Sequence, residues 1–436
     1  MADRRTERVL WGLIYAVLAL APVAFLAAAP ETEDSDDVFV PVAIGFVALT
    51  VLALQVVIAS RGPAFTAAFG IDRLIRIHRA GGILVLALVA AHVVTVVGSE
   101  DDYGEWLHPL DAPLAGRLGQ AAVLLLILLT VTVLWRALLR MRYETWRGLH
   151  IAFGLGAIAL AFGHVLAVGR FTQTGTIRWL TLGFVVVALV AAFYLRVARQ
   201  FIASRRPYRL ARSAEEPDGS ITLDLEAVGH SGAVFRPGQF AWLKHAGAPY
   251  ALTEHPFSYA SSANAPDRPS FTVKPAGDFT SALADLDEDA RFLIDGPHGS
   301  PALVDERDCV LIAGGSGITP SMSVLRSAAE EDDPRRLLLL HFLRDAAKAP
   351  FDGELHELGR RDRVDVALIP SQPGEDRTGP SGRISRELLD ELLPSDRRRW
   401  SYFVCGPPAM ADTAEAALRE LGIPRGSIRV ERFALA

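Results

Sequence analysis

Apolar residues dominate the first 200 positions, in six runs at about 9–29, 38–60, 80–97, 119–139, 149–168 and 179–196. Each comes close to the roughly 20 residues that cross ~30 Å of hydrocarbon, so the pattern predicts six membrane-spanning helices. The polar connections alternate in sign. Arg61, Arg73, Arg76 and Arg79 mark one side, together with Arg136, Arg140, Arg142, Arg147, Arg196, Arg199, Arg205 and Arg206. Glu31, Glu33, Asp34, Asp36 and Asp37 mark the other, with Glu100, Asp101, Asp102, Glu105 and Asp111. Arginine-rich connections stay in the cytoplasm. A multi-pass protein of the cell membrane with both termini inside is therefore expected.

The first run also has the look of a secretion signal, with Arg4 and Arg5 ahead of it and Ala27-Ala28-Ala29 behind it. Its apolar stretch exceeds the usual 7–15 residues of such signals, which favours an uncleaved anchor, and removing it leaves the later helices oriented as before.

Beyond residue 205 the rhythm changes. Short alternating runs at 220–228, 239–246, 270–275 and 291–295, broken by turns, predict a small antiparallel β-barrel over 204–300. From 301 onward, apolar strands at 309–313, 336–342, 364–369, 401–405 and 427–432 alternate with helical stretches. That order predicts an α/β domain with a doubly wound parallel sheet. The expected fold class is a multidomain membrane protein: a six-helix transmembrane bundle (1–203), an antiparallel barrel (204–300) and an α/β parallel-sheet domain (301–436).

Composition sharpens this only slightly. Half of the 436 residues are hydrophobic and the net charge is −6, with no basic tract, so nucleic acid is not an expected partner. Two cysteines, Cys309 and Cys405, are too few for a disulfide framework or a cysteine-bound cluster. A reducing setting suits the half that holds them.

Ionisable groups inside a bilayer are costly and demand a reason. Four of the five histidines before residue 200 form two pairs of identical separation: His78 and His92 on the third helix, His150 and His164 on the fifth. His108 falls in an outer loop. Fourteen residues span about 21 Å of helix and return to within about 40° of the same face, so one metal ion cannot be shared along a helix. Di-iron and zinc sites use ligands one turn apart. Because the third and fifth helices run the same way, His78 faces His150 near the cytoplasm and His92 faces His164 nearer the outside. Two imidazoles at each level suit two b-type haems with both axial positions filled, an arrangement for electron transfer. There is no Cys-x-x-Cys-His attachment motif. Interhelical hydrogen bonding is the plainer alternative for these histidines.

Three segments of the barrel region carry a resemblance. Arg236-Pro237-Gly238-Gln239-Phe240 is a turn entering a strand, and Lys274-Pro275-Ala276-Gly277-Asp278-Phe279-Thr280-Ser281 joins a strand to a helix. Between them, His255-Pro256-Phe257-Ser258-Tyr259-Ala260-Ser261 resembles the flavin strand of the ferredoxin-NADP reductase superfamily, as found in NADPH oxidases and ferric reductases. The resemblance implies FAD, with His255 near its phosphates or ribitol, Pro256 and Phe257 beside the isoalloxazine, and Ser258 within hydrogen-bonding reach of N5. The superfamily more commonly has Arg-x-Tyr-Ser here, so His255 implies a weaker phosphate contact. Lys274, Gly277, Thr280 and Ser281 stand where backbone amides approach the pyrophosphate, although Thr280 and Ser281 also suit helix capping.

In the last domain the first strand runs into Ala313-Gly314-Gly315-Ser316-Gly317-Ile318-Thr319-Pro320, with Thr319 expected as helix cap and Pro320 at the first helical position. Gly314, Gly315, Ser316 and Gly317 would bring a dinucleotide's pyrophosphate against that helix. Asp295-Gly296-Pro297-His298-Gly299 before it and Val404-Cys405-Gly406-Pro407-Pro408-Ala409-Met410 after it match the same superfamily in order and spacing. The resemblance puts Cys405, Gly406 and Pro407 against nicotinamide, with Cys405 positioning hydride transfer; a buried strand-end cysteine is the competing reading. Glu431-Arg432-Phe433 resembles endings in which an aromatic covers the flavin. This makes Phe433 that aromatic and Glu431 a support for proton transfer, against a simple packing role for Phe433. Arg344 is a candidate contact for a 2′-phosphate, while Asp345 beside it points the other way, so NADPH and NADH both stay open.

Taken together, the resemblance to the NADPH oxidase and ferric reductase group implies electrons passing from NAD(P)H through FAD and two haems to an extracytoplasmic acceptor: dioxygen, Fe(III), or an extracytoplasmic redox partner. A different class of reading makes the membrane half an anchor or a proton- or ion-conducting module, and the soluble half a reductase of a cytoplasmic flavin or protein partner. No regulatory module is evident, and oligomeric state stays open.

Overall fold

The computed structural model describes residues 4–27, 36–60, 62–99, 101–169, 193–246, 255–275, 290–372 and 379–433, with isolated positions between 179 and 192 and between 280 and 287. The chain divides into two compact units, Met1–Arg199 and Gln200–Ala436.

Among the described residues, five helices of the first unit are long and apolar enough to cross a membrane. They are α1 (Arg4–Ala27), α2 (Asp36–Ala59), α4 (Ile71–Ser99), α5 (Leu114–Leu134) and α6 (Tyr143–Val168), with a short α3 (Pro63–Phe69) before α4. The sixth expected span, at 179–196, lies largely outside the described residues. Helix α5 begins and ends about five residues earlier than the hydrophobic run implies. Pro113 stands at its N-cap, and Trp135 ends it in a non-helical turn.

Packing organises these helices into two hairpins, α2 against α4 and α5 against α6. Ala19, Val51, Leu54, Val85, Leu126 and Ala157 meet in a shared core to which α1, α2, α4, α5 and α6 all contribute. Large apolar residues such as Val17, Val94, Leu124 and Ile127 point outward, as expected of helices solvated by lipid.

The described residues of the second unit form two sheets. The first is antiparallel throughout, in the order β4-β3-β6-β1-β2-β5. Its strands are β1 (Tyr208–Glu215), β2 (Ile221–Ala227), β3 (Phe240–His245), β4 (His255–Ser258), β5 (Ser270–Val273) and β6 (Arg291–His298). A single bridge between Tyr259 and Phe271 brings its two edge strands together. Leu210, Leu223, Leu225, Leu243, Phe271 and Phe292 fill the space inside.

The second sheet is wholly parallel, in the order β11-β10-β7-β8-β9. It comprises β7 (Cys309–Gly314), β8 (Leu337–Leu343), β9 (Val364–Pro370), β10 (Ser401–Gly406) and β11 (Ile428–Arg432). Alternate residues of the central strands go to opposite faces. Leu311, Ala313, Phe403 and Cys405 pack under α7 (Ile318–Glu331) and α8 (Asp352–Leu358). Val310, Ile312, Tyr402 and Val404 pack under α9 (Arg386–Leu392) and α10 (Pro408–Glu420). Burial on both faces explains why these strands are continuous apolar runs rather than alternating ones. The chain goes from β7 outward to β8 and β9, then returns to β10 and β11 on the other side. That reversal leaves a crevice at the carboxyl ends of β7 and β10, where open α/β sheets bind ligands.

Candidate functional site

In the membrane unit the four histidines meet as two pairs. The rings of His78 and His150 have centroids 6.0 Å apart, and those of His92 and His164 6.2 Å apart. Two imidazoles bound to one metal at about 2 Å each, with about 1.1 Å more from nitrogen to ring centre, are separated by roughly 6 Å. Both levels fit that spacing. Among the described residues no group of three or more His, Cys, Asp or Glu side chains gathers to hold a metal ion. Each level therefore brings together two imidazoles, one from each helix.

The levels differ in their support. His92 Nδ1 lies 2.8 Å from the Pro41 carbonyl and His164 Nδ1 lies 2.7 Å from that of Ala115. A carbonyl only accepts, so Nδ1 carries the proton in both rings and Nε2 keeps its lone pair for a metal. At the other level, Nδ1 of His150 and of His78 is buried without a hydrogen bond among the described residues, His78 facing the Gln55 backbone without meeting bonding geometry. Trp146, one turn before His150, packs on its ring at 5.4 Å, and the Arg136 guanidinium lies 5.4 Å from the Trp146 ring.

In the second unit the predicted residues converge on the edges of both sheets. Ser258 ends β4, buried, and pairs with Phe240 on β3, which pairs in turn with His298 on β6. His255, Pro256 and Phe257 are half-buried along the same strand. A Cβ at Gly299 would stand 2.9 Å from the Phe240 ring and 3.7 Å from Glu431 Oε1, and its φ is +80°, so this position requires glycine. Glu431 pairs with Cys405 across β11 and β10, and the Phe433 N–H donates to the Gly406 carbonyl at 3.1 Å. A run of contacts therefore joins Ser258 to Cys405 through Phe240, Gly299 and Glu431.

The glycine turn closes the other side. Gly315–Gly317 forms a 3-10 turn running straight into α7, and a Cβ at Gly317 would lie 2.1 Å from the Cys405 carbonyl oxygen. A Cβ at Gly314 would stand 2.4 Å from Met410 Sδ and 3.2 Å from Pro407 Cδ. The two motifs are thus in direct contact at the crevice. Thr319 is not the cap: Gly317 already has helical φ and ψ, so α7 begins at Ile318, and the Thr319 hydroxyl donates to the Ser316 carbonyl at 3.0 Å from within the helix.

The Cys405 side chain belongs to the core beneath α7, and burial raises its thiol well above the ordinary value. It is a neutral thiol. Phe433 is 39% exposed beyond β11. Arg344 is exposed and donates to Gln372 Oε1 at 3.0 Å. Lys274 reaches Asp218 at 3.6 Å, Thr280 and Ser281 lie in a helical turn, and Gly277 falls outside the described residues.

Two residues of this site were not singled out from sequence. His341 on β8 stands behind the glycine turn with Nε2 3.2 Å from the Gly315 carbonyl, and burial lowers its pKa to about 4, so the neutral ring donates. Arg326 on α7 donates twice to Glu354, at 2.7 and 2.6 Å, and once to the Ala260 carbonyl at 2.8 Å. It ties the flavin-strand segment to the parallel-sheet domain.

Comparison with known proteins bears on both halves. Residues 44–161 match the ferric reductase like transmembrane component, and residues 311–416 match the oxidoreductase NAD-binding domain. The chain joins a ferric reductase-like transmembrane component to an NAD-binding oxidoreductase domain. His78, His92 and His150 fall inside the first match, and His164 lies three residues past its end. The oxidoreductase is 30% identical over 170 residues to a flavohemoprotein of Bacillus subtilis (37% of this chain, 42% of that one). It is 28% identical over 223 residues to the reductase component of propane 2-monooxygenase from Rhodococcus jostii (49% and 59%). It is also 31% identical over 156 residues to mouse cytochrome b5 reductase 4 (34% and 30%). The chain spans less than two thirds of each of these relatives. Among solved structures, the FAD/NAD-binding domain of nitric oxide dioxygenase from Vibrio cholerae is similar at 19% identity and a TM-score of 0.46, over 52% of this chain and 98% of that one.

Proposed function

We propose that this membrane oxidoreductase passes electrons from NAD(P)H, through FAD and two b-type haems, to an acceptor on the extracytoplasmic side, dioxygen or Fe(III). The observation that carries the reading is the pairing of four membrane histidines at two levels, with ring separations of 6.0 and 6.2 Å. When bound, FAD accepts hydride as an electron pair and releases single electrons, and bis-imidazole haems relay them.

The residues divide the work as follows. The glycine turn Gly314–Gly317 and the start of α7 receive the dinucleotide's pyrophosphate, with His341 holding the Gly315 carbonyl from behind. Gly406 and Pro407 form the nicotinamide side of the crevice, and the Cys405 backbone keeps the glycine turn in register with them. His255, Pro256, Phe257 and Ser258 would hold the flavin, with the Ser258 hydroxyl available to hydrogen-bond N5, and Lys274, Gly277, Thr280 and Ser281 are the residues that would meet its phosphates. Phe433 would cover the flavin, and Glu431 would support proton transfer beside it. Arg344 stands as the contact for a 2′-phosphate. His78 and His150 hold one haem, and His92 and His164 the other.

Orientation follows from charge. The His78 level lies near the helix starts that carry Arg73, Arg76 and Arg79 on α4, Arg142 at the cap of α6 and Arg147 on α6, the signature of a cytoplasmic face. Both termini and the dehydrogenase unit belong on that side, and the His92 level faces outward.

The test is the haem content of the purified full-length protein. Two b-type haems per chain, low-spin and reducible by NADPH, are expected, and His92→Ala should remove one of them. Folded protein without haem sinks the reading and favours an anchor or ion-conducting membrane half. Inverted vesicles supplied with NADPH and assayed in parallel for superoxide and Fe(II) identify the acceptor.

A further inference from the structure

The two helical hairpins repeat one device that side-chain chemistry alone does not reveal. In α2 the Pro41 carbonyl receives the His92 imidazole, and four residues later stands Gly45. In α5 the Ala115 carbonyl receives the His164 imidazole, and four residues later stands Gly119. In a helix the carbonyl of residue i bonds the N–H of residue i+4, and the Cβ of residue i+4 leans back over that same carbonyl. A side chain there covers the oxygen; a glycine leaves its second lone pair open to an outside donor. The fit is close. A Cβ on Gly45 would lie 2.9 Å from both Cε1 and Nδ1 of His92, and a Cβ on Gly119 would lie 3.1 Å from Nδ1 and 3.3 Å from Cε1 of His164.

The other level has no such socket. Fourteen residues along the same helices, matching the histidine spacing, the carbonyls belong to Gln55 and Leu129, and the residues four positions on are Ala59 and Val133. Both carry side chains; His78 faces the Gln55 carbonyl without reaching hydrogen-bonding geometry, and His150 Nδ1 makes no hydrogen bond among the described residues.

We infer that Gly45 and Gly119 are positioning residues: each exposes one backbone carbonyl that fixes the tautomer and ring plane of an outer-haem ligand, while the inner-haem ligands are left without this lock. The inference rests on the two-haem reading. An imidazole whose Nδ1–H is bonded to a carbonyl is a stronger donor through Nε2, which favours the ferric state of the iron it ligates. The outer haem's spectrum and midpoint potential would therefore depend on two glycines that are not themselves ligands.

The experiment uses the full-length protein in detergent, with haem counted first. Low-temperature electron paramagnetic resonance reports imidazole orientation at each low-spin ferric haem, and a redox titration reports each midpoint; His92→Ala identifies which signal is the outer one. Gly45→Ala and Gly119→Ala should shift the outer signal and raise the outer midpoint, or remove that haem alone, leaving the inner signal in place. Gly116→Ala is the crowding control on the same helix, since its Cβ would stand 3.1 Å from Ala112 Cβ and 3.3 Å from Trp106, away from any histidine. It should leave both signals unmoved. Unchanged outer signals in both socket variants overturn the inference, and so does an equal disturbance of both levels or the same shift in Gly116→Ala. A wild-type protein without haem is a separate result, and removes the reading beneath.

Discussion

Gly317→Ala tests whether contact between the glycine turn and β10 sets the geometry of hydride transfer. The new Cβ would lie 2.1 Å from the Cys405 carbonyl oxygen, 2.6 Å from its carbon and 3.0 Å from the Gly406 nitrogen. All three are backbone atoms, so no rotamer relieves the clash. Restoring an ordinary contact of 3.4 Å requires the turn and the strand end to part by about 1.3 Å, the difference between the two distances. Misplacement of about 1 Å at a reacting pair costs on the order of 100-fold in rate, equivalent to about 2.7 kcal/mol. Overpacking adds a stability loss of about 1–3 kcal/mol, which a compact unit of this size tolerates. The assay is anaerobic stopped-flow bleaching of the flavin by NADPH, with FAD content and dithionite reduction measured alongside. A rate of flavin reduction about 100-fold below wild type, with normal FAD content and normal dithionite reduction, is expected. Wild-type reduction by NADPH in the folded variant would show that this contact does not hold the nucleotide in register. Gly353→Ala, whose Cβ meets nothing within 4 Å, serves as the silent comparison.

Other outcomes follow from the same unit. His341 is a base whose folded pKa, about 4, lies below its unfolded value near 6.5, so the unfolded chain binds more protons between them. The stability it confers is full above pH 6.5 and is lost on acidification toward pH 4, by about 3 kcal/mol. In His341→Leu, thermal melts should show a flatter acid limb. Cys309 has the opposite sign: its folded pKa, about 11, exceeds the ordinary thiol value near 8.5, so stability is full below pH 8.5 and falls by up to about 1.4 kcal/mol per pH unit above it. Cys309→Ala should remove part of that alkaline loss in the same melts. Arg326→Ala breaks three hydrogen bonds between the flavin-strand segment, α7 and α8. A loss of about 1–2 kcal/mol in denaturant titrations is expected, moderated by the partial exposure of Glu354.

Much of this architecture is legible in sequence where burial is two-sided. The β7, β8 and β10 strands read clearly because Val310–Ala313 and its neighbours are apolar on both faces. By contrast, β1 escaped notice: Tyr208–Glu215 exposes most of its residues and offers only Tyr208 and Leu210 as fully buried anchors. Strand β6 runs on through Gly296 and Pro297 to His298, past residues that normally signal a turn. Thr319 looked like a cap because Ser and Thr commonly are, yet the turn before it is already helical. The pairing of the histidines was readable from their spacing together with the shared direction of the two helices that carry them. The carbonyls that support one of the two levels were not, because every residue has one and only the glycine four positions on distinguishes it. Arg326 and His341 owe their roles to partners distant in sequence, which no local pattern displays.

The split of the four imidazoles between α4 and α6 bears on biogenesis. Helix α4 belongs to one hairpin and α6 to the other, and neither hairpin alone supplies both ligands of either level. Membrane insertion of each hairpin needs only its own apolar sequence, but docking the two in register is what a bridging cofactor would enforce. Under the two-haem reading, cofactor supply is therefore an assembly checkpoint. Starved of haem, a cell would accumulate inserted but loosely associated hairpins, open to membrane proteases before any electron is transferred.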